Sequence, residues 1–409
     1  MSSFVTHLES AIDGTRLPAR TIQTVHAGRP LWVRYDLEAV AKSVSKKDLA
    51  RRPPSLWRYR EFLPVEHEAS IVTLGEGMSP LLDCPRLAAA LGIARLLVKD
   101  ESQLPTGSFK SRGMSVAVSV ARELGIEQVA VPTAGNAGGA LAAYAARAGL
   151  PCTVLMPADT PLVNQLEAKL FGARPFLVDG LIGDCGVIVR AGTERLGWFD
   201  MSTLREPYRL EGKKTMGFEL AEQLDWRLPD VVMYPTGGGT GLIGMWKAFA
   251  ELEAVGWLSS PRKPRLFSCQ SSGCAPIVRA FEAKERFAKP VEDARTSAAG
   301  LRVPSAVGDF MILDAIRASG GAAMTAAEAG IPHWMSLATR LSGIAFCPEA
   351  AVCVGVLERA LAAGLVRPDE TAVLFNTGAA QKYIEVLAVD LPRLAKAAVD
   401  WSLVGGRGP

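Results

Sequence analysis

Pro105-Thr106-Gly107-Ser108-Phe109-Lys110-Ser111-Arg112-Gly113 is the stretch whose reading decides the fold. Before it, Leu96-Leu97-Val98-Lys99-Asp100-Glu101 reads as a short buried strand. Pro105-Thr106-Gly107 is turn chemistry, and Ser108 is a favoured residue for capping a helix N-terminus. Beyond it, Phe109, Gly113, Val116, Ala117, Val120, Ala121 and Leu124 recur at helical spacing, and the run stops at Gly125. The order strand, turn, helix puts Lys110 in a first helical turn at the carboxyl end of a strand. Open α/β sheets bind ligands at that edge. A cation gains nothing from a helix N-terminus, whose dipole is already positive. The position favours a neutral amine or an imine, the form a Schiff-base lysine needs. An average lysine is only a solvated surface residue, so the rest of the chain has to carry the case.

Two glycine-rich loops carry most of it. Pro132-Thr133-Ala134-Gly135-Asn136-Ala137-Gly138-Gly139 follows the apolar run Val129-Ala130-Val131 and opens a helix that stops at Gly149. Its small residues let backbone approach a planar ring closely, and Asn136 offers an amide to a ring hydroxyl. Tyr234-Pro235-Thr236-Gly237-Gly238-Gly239-Thr240-Gly241 follows the strand Asp230-Val231-Val232-Met233. Backbone N–H groups stacked at a helix N-terminus bind phosphate. The loop lacks the Gly-Lys-Ser/Thr ending of a nucleoside-triphosphate loop and the spacing of a dinucleotide fingerprint, so a small phosphate-bearing cofactor fits better. A third loop, Phe375-Asn376-Thr377-Gly378-Ala379-Ala380, again ends a buried strand, with Thr377 just past it. Its hydroxyl can meet a ring nitrogen or satisfy its own backbone.

Together, Ser108-Phe109-Lys110 with Arg112-Gly113, Gly135-Asn136, the polyglycine loop and Asn376-Thr377-Gly378 resemble the fold type II pyridoxal-phosphate enzymes. Within these the chain is most similar to threonine synthase and threonine-synthase-like proteins. Leu74-Gly75-Glu76-Gly77-Met78-Ser79-Pro80-Leu81, Arg209-Leu210-Glu211-Gly212-Lys213-Lys214-Thr215 and Pro348-Glu349-Ala350-Ala351 resemble further segments of that family. The resemblance implies two parallel-sheet α/β domains wrapped by helices, like the tryptophan synthase β-subunit. It implies pyridoxal 5'-phosphate bound through a Schiff base to Lys110. Asn136 would meet the ring hydroxyl, and Gly237, Gly238, Gly239, Thr240 and Gly241 the phosphate. Thr377 would meet the ring nitrogen, and Phe109 would pack nearby. The implied reaction is that of a lyase acting on an amino acid: O-phosphohomoserine and water to threonine and phosphate. The alternatives on the same scaffold are threonine or serine ammonia-lyase, or a β-replacement enzyme such as cysteate synthase.

The chain departs from the family at substrate positions. Ser111 stands where aspartate is common, Ala137 where threonine or serine is common, and Ala380 where a second glycine is usual. The phosphate loop is Gly237-Gly238-Gly239 where many relatives have an asparagine. We expect Thr133, Arg112 and Arg147 to contact substrate instead. His7 to Thr15 resembles a segment that holds Cys-x-x-Cys in many relatives, but no cysteine precedes Cys84. A ribbon-like remnant without metal is expected there, closed by a strand within 28–35.

Composition bounds the rest. The chain has 409 residues, 49% of them hydrophobic, and a net charge of +3, which gives no reason to invoke nucleic acid. Seven scattered cysteines suggest reduced thiols and a cytoplasmic setting. Four scattered histidines give no support to a metal site or a Ser-His-Asp triad. No apolar run is long enough to span a membrane, which takes ~20 residues. Strands are expected at 95–100, 128–133, 152–156, 174–178, 230–235, 265–269 and 371–376. Helices are expected near 108–124, 137–148, 160–170, 183–195, 213–224, 241–253, 308–319, 348–363 and 379–386. The polar stretch 284–302 reads as an exposed excursion. The expected division is an arm at 1–65, a large cofactor-binding domain of 66–112 with 211–409, and a small mobile domain at 113–210. A homodimer is expected.

Overall fold

In the computed structural model, residues 3–387, 391, 393–397, 399 and 401–404 are described. The first two residues of the expected arm, and several near the end of the expected large domain, lie outside them. The described strands, in chain order, are β1 (Val5–Ser10), β2 (Arg16–Leu17), β3 (Leu31–Tyr35), β4 (Leu81–Asp83), β5 (Arg95–Asp100), β6 (Val129–Pro132), β7 (Cys152–Pro157), β8 (Arg174–Val178), β9 (Phe199–Asp200), β10 (Val231–Pro235), β11 (Arg265–Ser271), β12 (Ala322–Ala326) and β13 (Thr371–Asn376). They form three sheets, ordered β2-β1-β3, β12-β11-β10-β13-β5-β4 and β8-β7-β6-β9. The first is antiparallel; the third is wholly parallel, and the second is parallel except for β4 at its edge.

The large sheet is buried on both faces because its strands are apolar at consecutive positions. Leu96, Val98, Val231 and Met233 enter one core, with Trp334 and Leu357. Their neighbours Leu97, Val232 and Tyr234 enter the other, with Phe310 and Phe375. This is the period of two expected of a strand between two helix layers. The small sheet packs its helices in the same manner, and its core also takes Leu8, Leu31 and Val33 of the N-terminal sheet.

Several expectations need correction. Residues 379–386 form two short 3-10 turns, Ala380–Lys382 and Ile384–Val386, in place of an α-helix. The helix expected from 213 begins at Tyr208. Strand β12 and the helix Ile331–Ser342 have no counterpart among the expected elements. The sequence of β12, Ala322-Ala323-Met324-Thr325-Ala326, is mostly alanine, which carries little strand signal. Within 284–302, Lys284, Arg286, Lys289, Glu292, Asp293 and Arg295 are exposed, but Val291, Ala294, Ala298 and Leu301 are buried and anchor the stretch. Among the described residues no helix is long and apolar enough to cross a membrane, and no group of three or more His, Cys, Asp or Glu is placed to hold a metal.

Candidate active site

The carboxyl ends of β5, β10 and β13 in one sheet and of β6 in the other converge on a single cavity of about 360 Å³. After β5 the chain turns sharply, with Thr106 and Gly107 both in the left-handed region at φ 59° and 58°. It then enters the helix Lys110–Glu123. Ser108 does not cap this helix through its side chain: it is extended, at φ −166°, and its buried Oγ has no hydrogen-bond partner among the described residues. The Phe109 N–H donates to the Thr377 carbonyl at 3.1 Å, which ties the lysine turn to the end of β13.

Lys110 lines the cavity. Burial, then the Arg209 guanidinium, push its amine down from the ordinary lysine value to about 7, while Glu349 pulls the other way. Its Nζ lies 4.3 Å from the centre of the Phe109 ring, and Lys213 Nζ lies 4.2 Å from the same ring. Lys213 donates to the Phe109 carbonyl and is pushed well below the usual lysine range by burial, with Lys110 and Arg209 adding to it. Burial and the Arg209 guanidinium thus favour the neutral amine at Lys110.

The loop after β10 meets the cavity through bare backbone. A Cβ on Gly237 would lie 2.5 Å from the Gly300 carbonyl, and one on Gly239 2.2 Å from Ile312 Cδ1. Gly239 also has φ +75°, and a Cβ on Gly241 would meet Tyr234 Oη at 1.9 Å. The helix Thr240–Ala254 starts there without a side-chain cap, so its first N–H groups are left for a ligand. Asn136 donates its Nδ2 to Tyr383 Oη at 3.0 Å, and its buried Oδ1 has no partner among the described residues. The Thr377 hydroxyl lies in the same cavity, 3.9 Å from Cys347 Sγ. An orphan amide oxygen, a cradle that side chains would fill and a neutral hydroxyl fit the hydroxyl, phosphate and ring nitrogen of pyridoxal phosphate. Phe109, Thr133 and Thr240 line the same cavity.

Arg112 and Arg147 do not. The Arg112 side chain is fully buried and lies against two carboxylates, with Nε 2.6 Å from Glu101 and Nη2 2.7 Å from Glu219. Its donors are consumed by that cluster. Arg147 is exposed in the last turn of the helix Asn136–Ala148, so about 16 Å of helix separates it from Asn136 at the cavity. The expectation that these two arginines contact substrate is therefore corrected. Arg190, Arg205 and Arg302 line the cavity instead. Arg302 holds Asp159 in a two-point pair at 2.6 Å. Arg190 and Arg205 have no acidic partner among the described residues. Glu349 and Tyr383 also line the cavity, and sequence reasoning gives neither a role. No local pattern marks the three arginines, since they come from a helix, a turn and the 284–302 excursion.

Residues 72–378 match the family model described as pyridoxal-phosphate dependent enzyme. The threonine synthase of Methanocaldococcus jannaschii is 37% identical over 359 residues, 87% of this chain and 88% of that one. The threonine synthase of Methanosarcina acetivorans is 37% identical over 345 residues, 84% of each chain. Among solved structures, a threonine deaminase from T.th. superposes with a TM-score of 0.60 at 25% identity, covering 74% of this chain and 92% of that one. The chain belongs to the pyridoxal-phosphate dependent enzyme family, within which it is a lyase related to the threonine synthases.

Proposed function

We propose that the chain converts O-phosphohomoserine and water to threonine and phosphate, with Lys110 as its chemical residue. The observation that carries this reading is one lysine amine held near neutrality beside an uncapped glycine cradle, in a chain whose relatives over most of its length are threonine synthases. Pyridoxal phosphate, when bound, supplies a ring that takes up the electrons left on an amino acid after its Cα proton is removed. Lys110 would hold the cofactor's aldehyde carbon. The backbone from Gly237 to Gly241 would hold its phosphate, Asn136 its ring hydroxyl and Thr377 its ring nitrogen, with Phe109 packed beside it. Lys110 Nζ, its proton disfavoured by burial and by Arg209, would take the substrate's Cα proton and return a proton later in the cycle. Thr133, with Arg190 and Arg205, which have no acidic partner among the described residues, would bind the substrate's anionic groups, and arginine suits a phosphate through its forked donors.

We also read residues 66–112 with 211–409 as the large unit, 113–210 as a small unit that closes over substrate, and 1–65 as an arm. On this reading Arg302 and Asp159 meet across the mouth between the two units. The working form is a homodimer in the cytoplasm acting on a small amino acid. One observation favours a second reading on the same cavity. Ala137 follows Asn136 and gives a substrate phosphate no hydroxyl, which suits ammonia release from threonine or serine, or β-replacement as in cysteate synthesis. Purified protein loaded with pyridoxal phosphate decides between them. Phosphate and threonine appearing from O-phosphohomoserine support the first reading. A 2-oxoacid from threonine or serine, with no phosphate release, replaces it with the second.

A further inference from the structure

Glu349 is the only carboxylate among the described residues that line the cavity, where the other charged groups are Lys110, Arg190, Arg205 and Arg302. It is 4% exposed. Its Oε1 accepts the Gly300 N–H at 2.7 Å. A Cβ on Gly300 would lie 2.8 Å from that oxygen, so the glycine is what lets the carboxylate seat so closely. Its Oε2 is buried with no hydrogen-bond partner among the described residues. A buried carboxylate with an idle oxygen is costly unless something answers it. Position in the first turn of the helix Pro348–Ala362 answers part of the charge. No ion pair among the described residues answers the rest.

The neighbours say what the charge is for. Tyr383 lies against Glu349, and burial together with that carboxylate pushes its phenol well above the usual range, so it stays neutral. The Tyr383 oxygen accepts from Asn136 Nδ2, which leaves the phenol's own hydrogen free to point at the carboxylate. Cys347 and Cys353 are the other titratable groups against Glu349, and burial pushes both thiols up, so they too stay neutral. On the other side Lys110 faces Arg209 from the helix Tyr208–Gln223, which disfavours its proton, and Glu349, which favours it; Lys213 from the same helix is itself held neutral by burial.

We infer that Glu349 is the counter-charge of this site, the carboxylate that favours a proton on the Lys110 nitrogen inside an otherwise cationic cavity. The inference rests on the reading of Lys110 given above and adds to it a residue that neither the motif nor the family match assigns. No bond is made or broken in this role: the carboxylate acts through its charge, and Tyr383 lies between it and Asn136.

Two variants separate charge from shape. Glu349→Gln keeps the size and can still accept from Gly300, but removes the charge. Glu349→Asp keeps the charge and shortens the reach. The measurement is the pH titration of the visible absorbance of the protein carrying pyridoxal phosphate, with thermal stability recorded beside it. Removing a negative charge makes a nearby protonated nitrogen more acidic. The Gln midpoint should therefore fall by roughly one pH unit, with the Asp midpoint staying near wild type. A Gln midpoint equal to wild type, or an Asp variant shifted while Gln is not, overturns the inference and leaves Glu349 a packing residue. Protein that binds no pyridoxal phosphate would count against Lys110 itself. The same comparison is then made on the free amine, by pH-dependent acylation of Lys110 read by mass spectrometry. There too, a midpoint lowered in Gln alone supports the inference, and an unmoved Gln midpoint overturns it.

Discussion

Lys110 and Arg112 stand two residues apart on one helix and meet opposite surroundings. Arg112 is locked in a balanced cluster. It pairs with Glu101 and Glu219, Lys99 also pairs with Glu219 at 3.0 Å, and the Ser79 and Thr215 hydroxyls complete its bonds. Among the described residues Lys110 has no bonded carboxylate, and it opens onto a cavity with unsatisfied atoms, including Asn136 Oδ1 and Glu349 Oε2. The first arrangement uses its polar groups on one another and holds the helix against its neighbours. The second keeps them idle, which a fold tolerates only where a ligand completes them. Full pairing marks architecture here, and incomplete pairing marks chemistry.

The sharpest way to break that contrast is to remove each residue in turn. Lys110→Ala should abolish the visible absorbance and cut turnover by on the order of 10³-fold or more, with the unfolding midpoint nearly unchanged. Arg112→Met should do the reverse. It leaves Glu101 and Glu219 buried without their partner, so stability measured by denaturant should fall by about 3–5 kcal/mol. The fraction that remains folded should keep a normal absorbance band. If Arg112→Met were stable but inactive, the division between the two residues would be wrong.

A pH profile comes next. An amine titrating at about 7 is a competent base only above that value, because its proton must be off. The rate kcat, which reports groups in the substrate-bound enzyme, should fall about tenfold per unit as pH drops below 7 and level off above it. A profile flat from pH 5.5 to 8 would show that a neutral Lys110 is not required. Gly237→Ala probes the cradle, where the new Cβ would be driven against the Gly300 carbonyl. Overpacking of that kind costs about 1–3 kcal/mol, so cofactor affinity measured by equilibrium titration should drop about tenfold or more. The smallest effects separate the arginines. Arg205→Gln should raise KM about tenfold for an anionic substrate and change kcat less. Arg147→Gln, exposed at the far end of its helix, should change neither by more than about twofold.

The strands and loops that build the cavity were legible in the sequence because each pairs an apolar run with a glycine or proline turn. Val129-Ala130-Val131 before Pro132 and Val231-Val232-Met233 before the glycine loop are examples. The sequence could not rank basic residues near the lysine. Arg112 lies in the motif and Arg190, Arg205 and Arg302 do not, yet burial and pairing, which depend on distant segments, put only the latter three in the cavity. Glu349 stands in a segment that resembles the family, but its meaning depends on two distant partners. Gly300 lies 49 residues before it, and Tyr383 lies where a helix was expected and short turns are found. Strand β12 was missed because alanines carry little strand signal and only its pairing with β11 defines it.

The central claim is that Lys110, and no other lysine, carries the cofactor. Reduction of the loaded protein with borohydride fixes the cofactor to the nitrogen that holds it, and peptide mapping by mass spectrometry reads the position. The added mass is expected on the peptide containing Lys110 and on no other. Added mass on the Lys213 peptide instead, or none on any lysine, would contradict it.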